Sequence, residues 1–150
     1  MYTTEMIRRF MEKTVPFNDF LGLEIVELSE GEALMRVPVR PEFTGDPFRP
    51  ALHGGVISTL ADTGGGVAVL TCLEEGQMAS TVDLRVDYLR PGSVDADLWA
   101  HSRVLRVGNR VAATHTTVYQ SDPEKPVATA SAVYNVVRLK NGAGLAPADE

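Results

Sequence analysis

The residues of this sequence that could do chemistry lie in one apolar stretch, from His53 to Leu70. The stretch opens with His53-Gly54-Gly55 and carries one carboxylate, Asp62, nine positions after the histidine. Glycines at a helix start leave the first backbone N–H groups open to a ligand oxygen, with the positive end of the helix dipole behind them. A carboxylate among apolar residues is costly to ionise without a partner, so such an acid is a candidate for catalysis. Together these residues indicate an oxyanion site followed by an acid or base.

Each of these features also has a purely structural interpretation. A helical aspartate is usually solvated or caps a helix, and a glycine pair is more often a permissive turn. Whether these residues take part in catalysis therefore depends on which helix or strand holds each of them and on which groups lie next to them.

The apolar stretch itself is predicted to be a buried helix over residues 54–73. Its apolar residues recur at three- and four-residue spacings, and it is too long for an ordinary strand. Gly76 follows at the expected helix end. The consecutive glycines from Gly64 to Gly66 each cost about 1 kcal/mol relative to alanine inside a helix. We therefore expect a sheet or a partner helix to press closely against that turn.

The other segments supply an N-terminal helix and a set of strands. An amphipathic helix is predicted over residues 3–13, with Thr3 as a suitable cap. Strand-like runs separated by turn residues occupy residues 23–28, 32–39, 81–88, 97–107, 110–120 and 127–137. The run at 81–88 alternates most strictly, and its predicted apolar face consists of Val82, Leu84, Val86 and Tyr88. Residues 41–52 contain three prolines and are predicted to be an irregular loop.

These elements predict an α+β fold in a single domain of residues 1–139. Strands joined by short turns pair in antiparallel fashion, and one long apolar helix needs a curved sheet around it. We therefore expect a sheet of about six strands wrapped around the central helix. Residues 140–150 are rich in Gly, Ala and Pro and are expected to be a disordered tail.

Composition excludes several classes of partner. A net charge of −6 over 150 residues argues against nucleic acid and against an anionic membrane surface. No long apolar run or signal-like N-terminus occurs, so a cytoplasmic location is expected. Cys72 is the only cysteine, and the three histidines lack ligand spacing, so no metal site is predicted.

The His53-Gly54-Gly55 motif and Asp62 lie on a predicted helix that follows two strands and precedes four. This arrangement resembles the hotdog-fold acyl-CoA thioesterases of the phenylacetic-acid-pathway type. The resemblance covers roughly residues 16–138, nearly a whole domain. It implies that the Gly54 N–H binds the thioester oxygen and that Asp62 acts as general base or nucleophile. It also implies that the Thr81 hydroxyl helps to place water or the carboxylate. Coenzyme A would belong to the substrate, so no separate cofactor is expected.

One loop departs from the family pattern. The family often has an asparagine six residues before the motif histidine, and here that position is Pro47, with Asp46 beside it. Asp46 is a candidate substitute, or the loop shapes acyl specificity instead. Further residues are predicted to contact substrate: His53 and Gly55 at the motif, Ile57 and Leu60 along the acyl group, and Arg90 and Arg110 at the coenzyme A phosphates.

Helix geometry predicts that the site is shared between two chains. Gly54 and Asp62 are separated by about 12 Å along a helix, so one carbonyl cannot contact both in one chain. A two-fold dimer with antiparallel helices would bring Asp62 of one chain to Gly54 of the other, at two equivalent sites. The family resemblance implies the same arrangement. We therefore predict an obligate homodimer, paired again into a homotetramer.

Two other functions fit the same residues. A hotdog-fold enoyl-CoA hydratase or dehydratase would require His53 to face the ligand. A non-catalytic acyl-CoA binding protein would have little reason to keep Asp62 near an electrophilic carbonyl. An α/β-hydrolase is excluded because the chain lacks a Gly-x-Ser-x-Gly elbow.

Overall fold

A computed structural model of the chain describes residues 1–140 and 144–145. The helical elements are α1 (Thr4–Arg9), a π-helical turn (Phe10–Thr14), α2 (Pro16–Leu21), a 3-10 turn (Pro41–Phe43) and α3 (Gly54–Leu70). The strands are β1 (Glu24–Ser29), β2 (Glu32–Val37), β3 (Thr44–Asp46), β4 (Ala51–Leu52), β5 (Gln77–Tyr88), β6 (Leu98–Val107), β7 (Val111–Tyr119) and β8 (Ala128–Arg138). None of the helices in this described part has the length and hydropathy that a membrane crossing requires.

Six of these strands form one sheet that packs around α3. Their order is β1-β2-β6-β7-β8-β5, and every neighbouring pair is antiparallel. Helix α3 contacts five of the six strands and buries Leu60, Val67 and Val69 completely. The predicted α+β fold, a six-stranded sheet wrapped around one helix, is confirmed.

The central helix ends at Leu70, before the predicted residue 73. Thr71 is the residue at the helix end, and its hydroxyl donates to the Ala68 carbonyl at 2.6 Å and accepts the Gly31 N–H at 2.8 Å. Gly76 has a φ of +84° but lies in the turn before β5, so its predicted role at the helix end is wrong.

The sheet presses against the glycine turn of α3, as predicted. A Cβ atom on Gly65 would lie 2.3 Å from Tyr134 Oη and 2.7 Å from Thr114 Oγ1. A Cβ atom on Gly64 would lie 2.6 Å from Ser102 Oγ. The groups in contact are polar side chains of β6, β7 and β8, where the sequence led us to expect backbone. These glycines are therefore needed for helix and sheet to pack at this distance.

Strand β5 does not alternate as strictly as its sequence predicts. The register against β8 shifts between Thr81 and Asp83, which makes Val82 the extra residue of a bulge, with 62% of its surface exposed. Thr81 pairs with the buried Tyr134, so it faces the helix side of the sheet. The prediction that Val82 shares the apolar face with Leu84 is wrong, because one extra residue turns the preceding side chains to the opposite face.

The proline-rich segment before α3 is a small hairpin where an irregular loop was predicted. Strands β3 and β4 pair through Thr44 with Leu52 and through Asp46 with Ala51. A Cβ atom on Gly45 would lie 2.6 Å from the Cα atom of His53, so only glycine fits there. The hairpin is thus packed directly against the start of α3.

Tyr2 and Ile7 near the N-terminus, and Leu145 among the last described residues, belong to the buried core. Residues 4–14 are helical and change from α to π geometry at Phe10. Thr3 accepts the Met6 N–H through its hydroxyl and caps α1. The tail predicted to be disordered, residues 140–150, lies mostly outside the described residues; of the described part, Leu145 is buried with 3% exposure.

Candidate active site

Asp62 and Thr81 meet at the gap between α3 and β5. The Thr81 hydroxyl donates a hydrogen bond to Asp62 Oδ1 at 2.8 Å. The bulge in β5 makes this contact possible, since it turns Thr81 toward the helix. Asp62 is half-buried on the side of α3 that lies next to the edge strand β5. Its carboxylate is therefore held in position and remains reachable by a ligand.

Tyr134 fixes the backbone of the same helical turn. Its hydroxyl donates to the carbonyl oxygen of Asp62 at 2.6 Å. Burial, and secondly the negative charge of Asp62, raise the pKa of Tyr134 far above its usual value. The phenol therefore keeps its proton and acts as a permanent donor to the turn that carries Asp62.

The start of α3 offers one backbone donor to a ligand. His53 Nδ1 accepts the Gly55 N–H at 2.8 Å and so caps the helix. The Tyr88 ring covers Gly54, and its hydroxyl donates to the Gly54 carbonyl at 3.1 Å. Among the hydrogen bonds of the described residues, the Gly54 N–H has no partner. It is the donor that an oxyanion could use.

The two ends of the predicted site open into different clefts of one chain. The first cleft lies beside the Asp62–Thr81 pair and is lined mainly by apolar side chains. Its lining is Phe10, Met11, Val15, Asn18, Asp62, Thr63, Gly66, Leu70, Met78, Ala79, Thr81 and Tyr134. The second lies at the helix start and is lined by Leu52, Gly54, Ile57, Tyr88, Leu89, Arg90, Pro91 and Gly92. No residue lines both clefts, so acid and backbone donor are apart within one chain.

The other predicted contact residues are distributed unevenly. Ile57 and Arg90 lie with Gly54 in the second cleft. Leu60 is fully buried in the core, so the structure does not bring it to either cleft. Arg110 lies at the β6–β7 turn in a separate surface depression with Arg106 and Asn109.

Asp46 organises the turn that precedes α3. Its carboxylate accepts the backbone N–H groups of Arg49 at 3.1 Å and Phe48 at 3.0 Å, and the Arg49 guanidinium at 3.1 Å. The backbone bond from Arg49 and then that from Phe48 lower the pKa of Asp46 below its usual value. The predicted substrate-binding role of Asp46 stays a prediction, because here the carboxylate binds its own loop.

We expect replacement of Asp46 with alanine to make the free energy of unfolding less dependent on pH in the acid range. A carboxyl whose pKa is lowered on folding stabilises the protein above its unfolded pKa of about 3.9, and the effect disappears as pH falls through the folded pKa. The wild type should therefore be more stable than Asp46→Ala at neutral pH, and the two should converge as pH falls through the lowered pKa of Asp46 in the folded state. Urea unfolding at a series of pH values measures this difference. Glu75→Ala, which removes an exposed carboxylate, is the control; the same convergence in that variant would contradict the assignment.

Sequence reasoning missed three kinds of contributor to this site. Tyr134 looked like an ordinary strand residue, although a glycine in the facing helix turn signals a large neighbour. Tyr88 was assigned to a strand face without its contact to Gly54. The N-terminal residues Phe10 and Met11 were assigned to an amphipathic stripe, and nothing in their spacing indicates that they reach the Asp62 cleft.

Comparison with known proteins gives these residues a family context. Residues 50–127, which include Gly54, Asp62 and Thr81, match the thioesterase superfamily. The medium/long-chain acyl-CoA thioesterase YigI of Salmonella typhimurium is 35% identical over 135 residues, covering 81% of this chain and 86% of that protein. A thioesterase from Haemophilus influenzae superposes with a TM-score of 0.80 at 26% identity and covers 94% of both chains. A mutant of the phenylacetic acid degradation protein PaaI from Thermus thermophilus superposes with a TM-score of 0.70 at 28% identity, covering 80% of this chain and 97% of that one.

Proposed function

Because this chain belongs to the thioesterase superfamily and is a thioester hydrolase with the hotdog fold, we propose that it hydrolyses acyl-CoA to a free acid and coenzyme A. The observation that carries the proposal is the 2.8 Å hydrogen bond between Thr81 and Asp62 beside an apolar cleft. A carboxylate that is positioned and reachable at an apolar cleft is what hydrolysis of an acyl thioester requires.

In the proposed mechanism Asp62 is the general base. It accepts a proton from water as the water oxygen attacks the thioester carbonyl, and the thiolate of coenzyme A then leaves. The Thr81 hydroxyl holds one carboxylate oxygen and leaves the other free for water. The Tyr134 bond to the Asp62 carbonyl keeps the helical turn in place. A nucleophilic Asp62 would use the same contacts.

The oxyanion donor is proposed to come from a second copy of the chain. Gly54 lies about 12 Å from Asp62 along α3, and the two residues open into different clefts. A two-fold dimer with antiparallel α3 helices would join the Asp62 cleft of one protomer to the Gly54 cleft of its partner. Removal of one such donor typically costs roughly 10²- to 10³-fold in kcat.

Strand β5 supports such a dimer. It is an edge strand of twelve residues and, within the described residues, pairs only with β8. Val82 is 62% exposed and Tyr88 54% exposed on this strand. A long, partly apolar edge is suited to pairing with its own copy across a two-fold axis. Pairing of two dimers into a tetramer stays a prediction that light scattering can measure.

The second cleft supports roles for the residues around Gly54. Arg90 lines this cleft, and its guanidinium could bind a phosphate of coenzyme A, which the pantetheine arm separates from the thioester. His53 uses Nδ1 to cap the helix, so we assign it to positioning the Gly54 donor. This capping favours the hydrolase over the hydratase or dehydratase alternative, in which His53 must face the ligand.

Mixing two inactive variants tests whether the site is shared. Asp62→Asn removes the base. Gly54→Val places a branched side chain beside the backbone N–H donor of residue 54, where even a Cβ atom would lie 3.3 Å from the Tyr88 ring. Each variant should be inactive alone. Co-refolded in equal amounts, they should recover about a quarter of wild-type activity, because half of the dimers are mixed and each mixed dimer has one intact site.

The control for this experiment is the double variant Asp62→Asn/Gly54→Val, mixed with either single variant. Those mixtures should stay inactive, because none of their mixed dimers contains an intact pair. Native mass spectrometry verifies that mixed dimers form. Inactive mixtures of the two single variants, despite mixed dimers, would show that base and donor act within one chain.

A further inference from the structure

The cleft beside Asp62 is closed on one side by the N-terminal helices. We define the N-terminal wall as Phe10, Met11, Val15 and Asn18, which all line this cleft. We infer that the N-terminal wall binds the acyl chain of the substrate and selects flexible aliphatic acyl groups over rigid aromatic ones. The inference rests on the proposed function, since it takes Asp62 as the point where the thioester lies.

The cleft has the size and composition of an acyl site. Its volume is about 340 Å³, within the range of small-ligand sites. Opposite the N-terminal wall it is lined by Leu70 of α3 and by Met78 and Ala79 of β5. Asp62 and Thr81, which are hydrogen-bonded to each other, line the same cleft, so an acyl chain whose thioester lies at Asp62 would contact these apolar side chains.

Hydrogen bonds within the N-terminal wall hold its residues in place. In the π-helical turn the Val15 N–H donates to the Phe10 carbonyl at 3.1 Å. Asn18, which is 4% exposed, donates its side-chain amide to the Met11 carbonyl at 2.9 Å. Single π turns inside helices are frequent at functional sites. Here the turn aims Phe10 and Met11 into the cleft.

Three further hydrogen bonds tie the N-terminal segment to other parts of the fold. Glu12 accepts the backbone N–H of Ile25 in β1 at 2.7 Å. The Tyr2 hydroxyl donates to the Gln77 carbonyl at 2.8 Å and accepts the Gly76 N–H at 2.9 Å, at the start of β5. The N-terminal wall is therefore a built side of the cleft and is positioned before any substrate binds.

The chemistry of the lining favours an aliphatic chain. Met11 and Met78 have flexible, polarisable side chains that adapt to irregular shapes. The Asn18 amide is committed to the Met11 carbonyl, so the N-terminal wall offers an acyl group little beyond apolar contact. Burial of one methylene is worth about fourfold in affinity, so each carbon that reaches the wall should raise kcat/KM by about that factor.

The test is a chain-length profile of wild type, Phe10→Ala and Met78→Ala. Each is assayed with straight-chain acyl-CoAs from acetyl to palmitoyl and with benzoyl-CoA and phenylacetyl-CoA. Wild type should prefer chains that reach the N-terminal wall over both aromatic substrates. Each variant should lose roughly tenfold in kcat/KM for those chains, through KM, and keep the value for acetyl-CoA within about twofold.

The matched control is Phe17→Ala, which truncates a 55% exposed phenylalanine that does not line the cleft. Its profile should equal that of wild type. An identical profile in Phe10→Ala, Met78→Ala and Phe17→Ala would overturn the inference, and so would a preference of wild type for the aromatic substrates. Met78 lies in β5, so its variant remains informative if Phe10→Ala fails to fold.

A binding measurement separates this inference from the proposed function. The same substitutions are made on the Asp62→Asn background and titrated with dodecanoyl-CoA by calorimetry. Weaker binding by roughly tenfold in Phe10→Ala and Met78→Ala alone supports the N-terminal wall even if hydrolysis is absent. Absence of hydrolysis in wild type contradicts the proposed function, whereas unchanged binding in all variants contradicts the wall.

Discussion

Replacement of Asp62 with asparagine is expected to lower kcat for acyl-CoA hydrolysis by roughly 10³-fold, within the usual range for loss of a general base. Asparagine has nearly the same shape and still accepts the Thr81 hydroxyl through its amide oxygen, but it cannot take a proton from water. Steady-state kinetics with detection of free coenzyme A thiol measures the effect. The circular dichroism spectrum and molecular mass of the variant should match those of wild type.

Thr81→Ser is the matched control for this experiment. Serine keeps the hydroxyl that donates to Asp62 Oδ1 at 2.8 Å, so its kcat should stay within about threefold of wild type. Thr81→Val, which removes the donor, should fall between the two. An Asp62→Asn enzyme that retains more than about a tenth of wild-type kcat would show that another group activates the water.

Replacement of Gly65 with alanine is expected to lower the free energy of unfolding by roughly 3 kcal/mol, the upper range for overpacking a core. The added Cβ atom would lie 2.3 Å from Tyr134 Oη and 2.7 Å from Thr114 Oγ1. Both neighbours are buried, so α3 would have to move away from the sheet. Equilibrium unfolding in urea measures the change.

The adjacent Gly66→Ala provides the comparison. A Cβ atom on Gly66 would lie 3.4 Å from Tyr134 Cε1, which is close to ordinary contact. The free energy of unfolding of Gly66→Ala should therefore rise by up to about 1 kcal/mol, because alanine has a higher helix propensity than glycine. The double variant Gly65→Ala/Tyr134→Phe should recover part of the loss, because it removes the nearest atom. Equal stability of the two alanine variants would contradict the close packing of sheet on helix.

The sequence predicts the central helix and the six strands of the main sheet through recurring patterns. It could not predict the bulge at Val82, because alternation along 81–88 is a local pattern and the bulge depends on β5 meeting β8 and α3 together. Without the bulge Thr81 would face away from Asp62. The family resemblance supplied this pair, and strand periodicity alone would have separated it.

The face of α3 that borders the Asp62 cleft could not be predicted for a different reason. One face of α3 carries small and weakly polar residues and the other faces are apolar, so the contrast between them indicates only weakly which face meets the sheet. Leu60 was therefore assigned to a substrate although it is fully buried. The small residues on the half-buried face, such as Thr59 and Gly66, carry little hydrophobic signal.

The uncovered edge of β5 has a consequence for the life of a newly made chain. Until another strand covers it, this edge presents unpaired backbone groups beside the exposed Val82, and such an edge can template aggregation. Asp83, Arg85 and Asp87 place alternating charges along the same strand and hinder indiscriminate association. If β5 pairs with its copy in the proposed dimer, variants in which this pairing is prevented should precipitate or be degraded in the cell, and colloidal stability would depend on assembly.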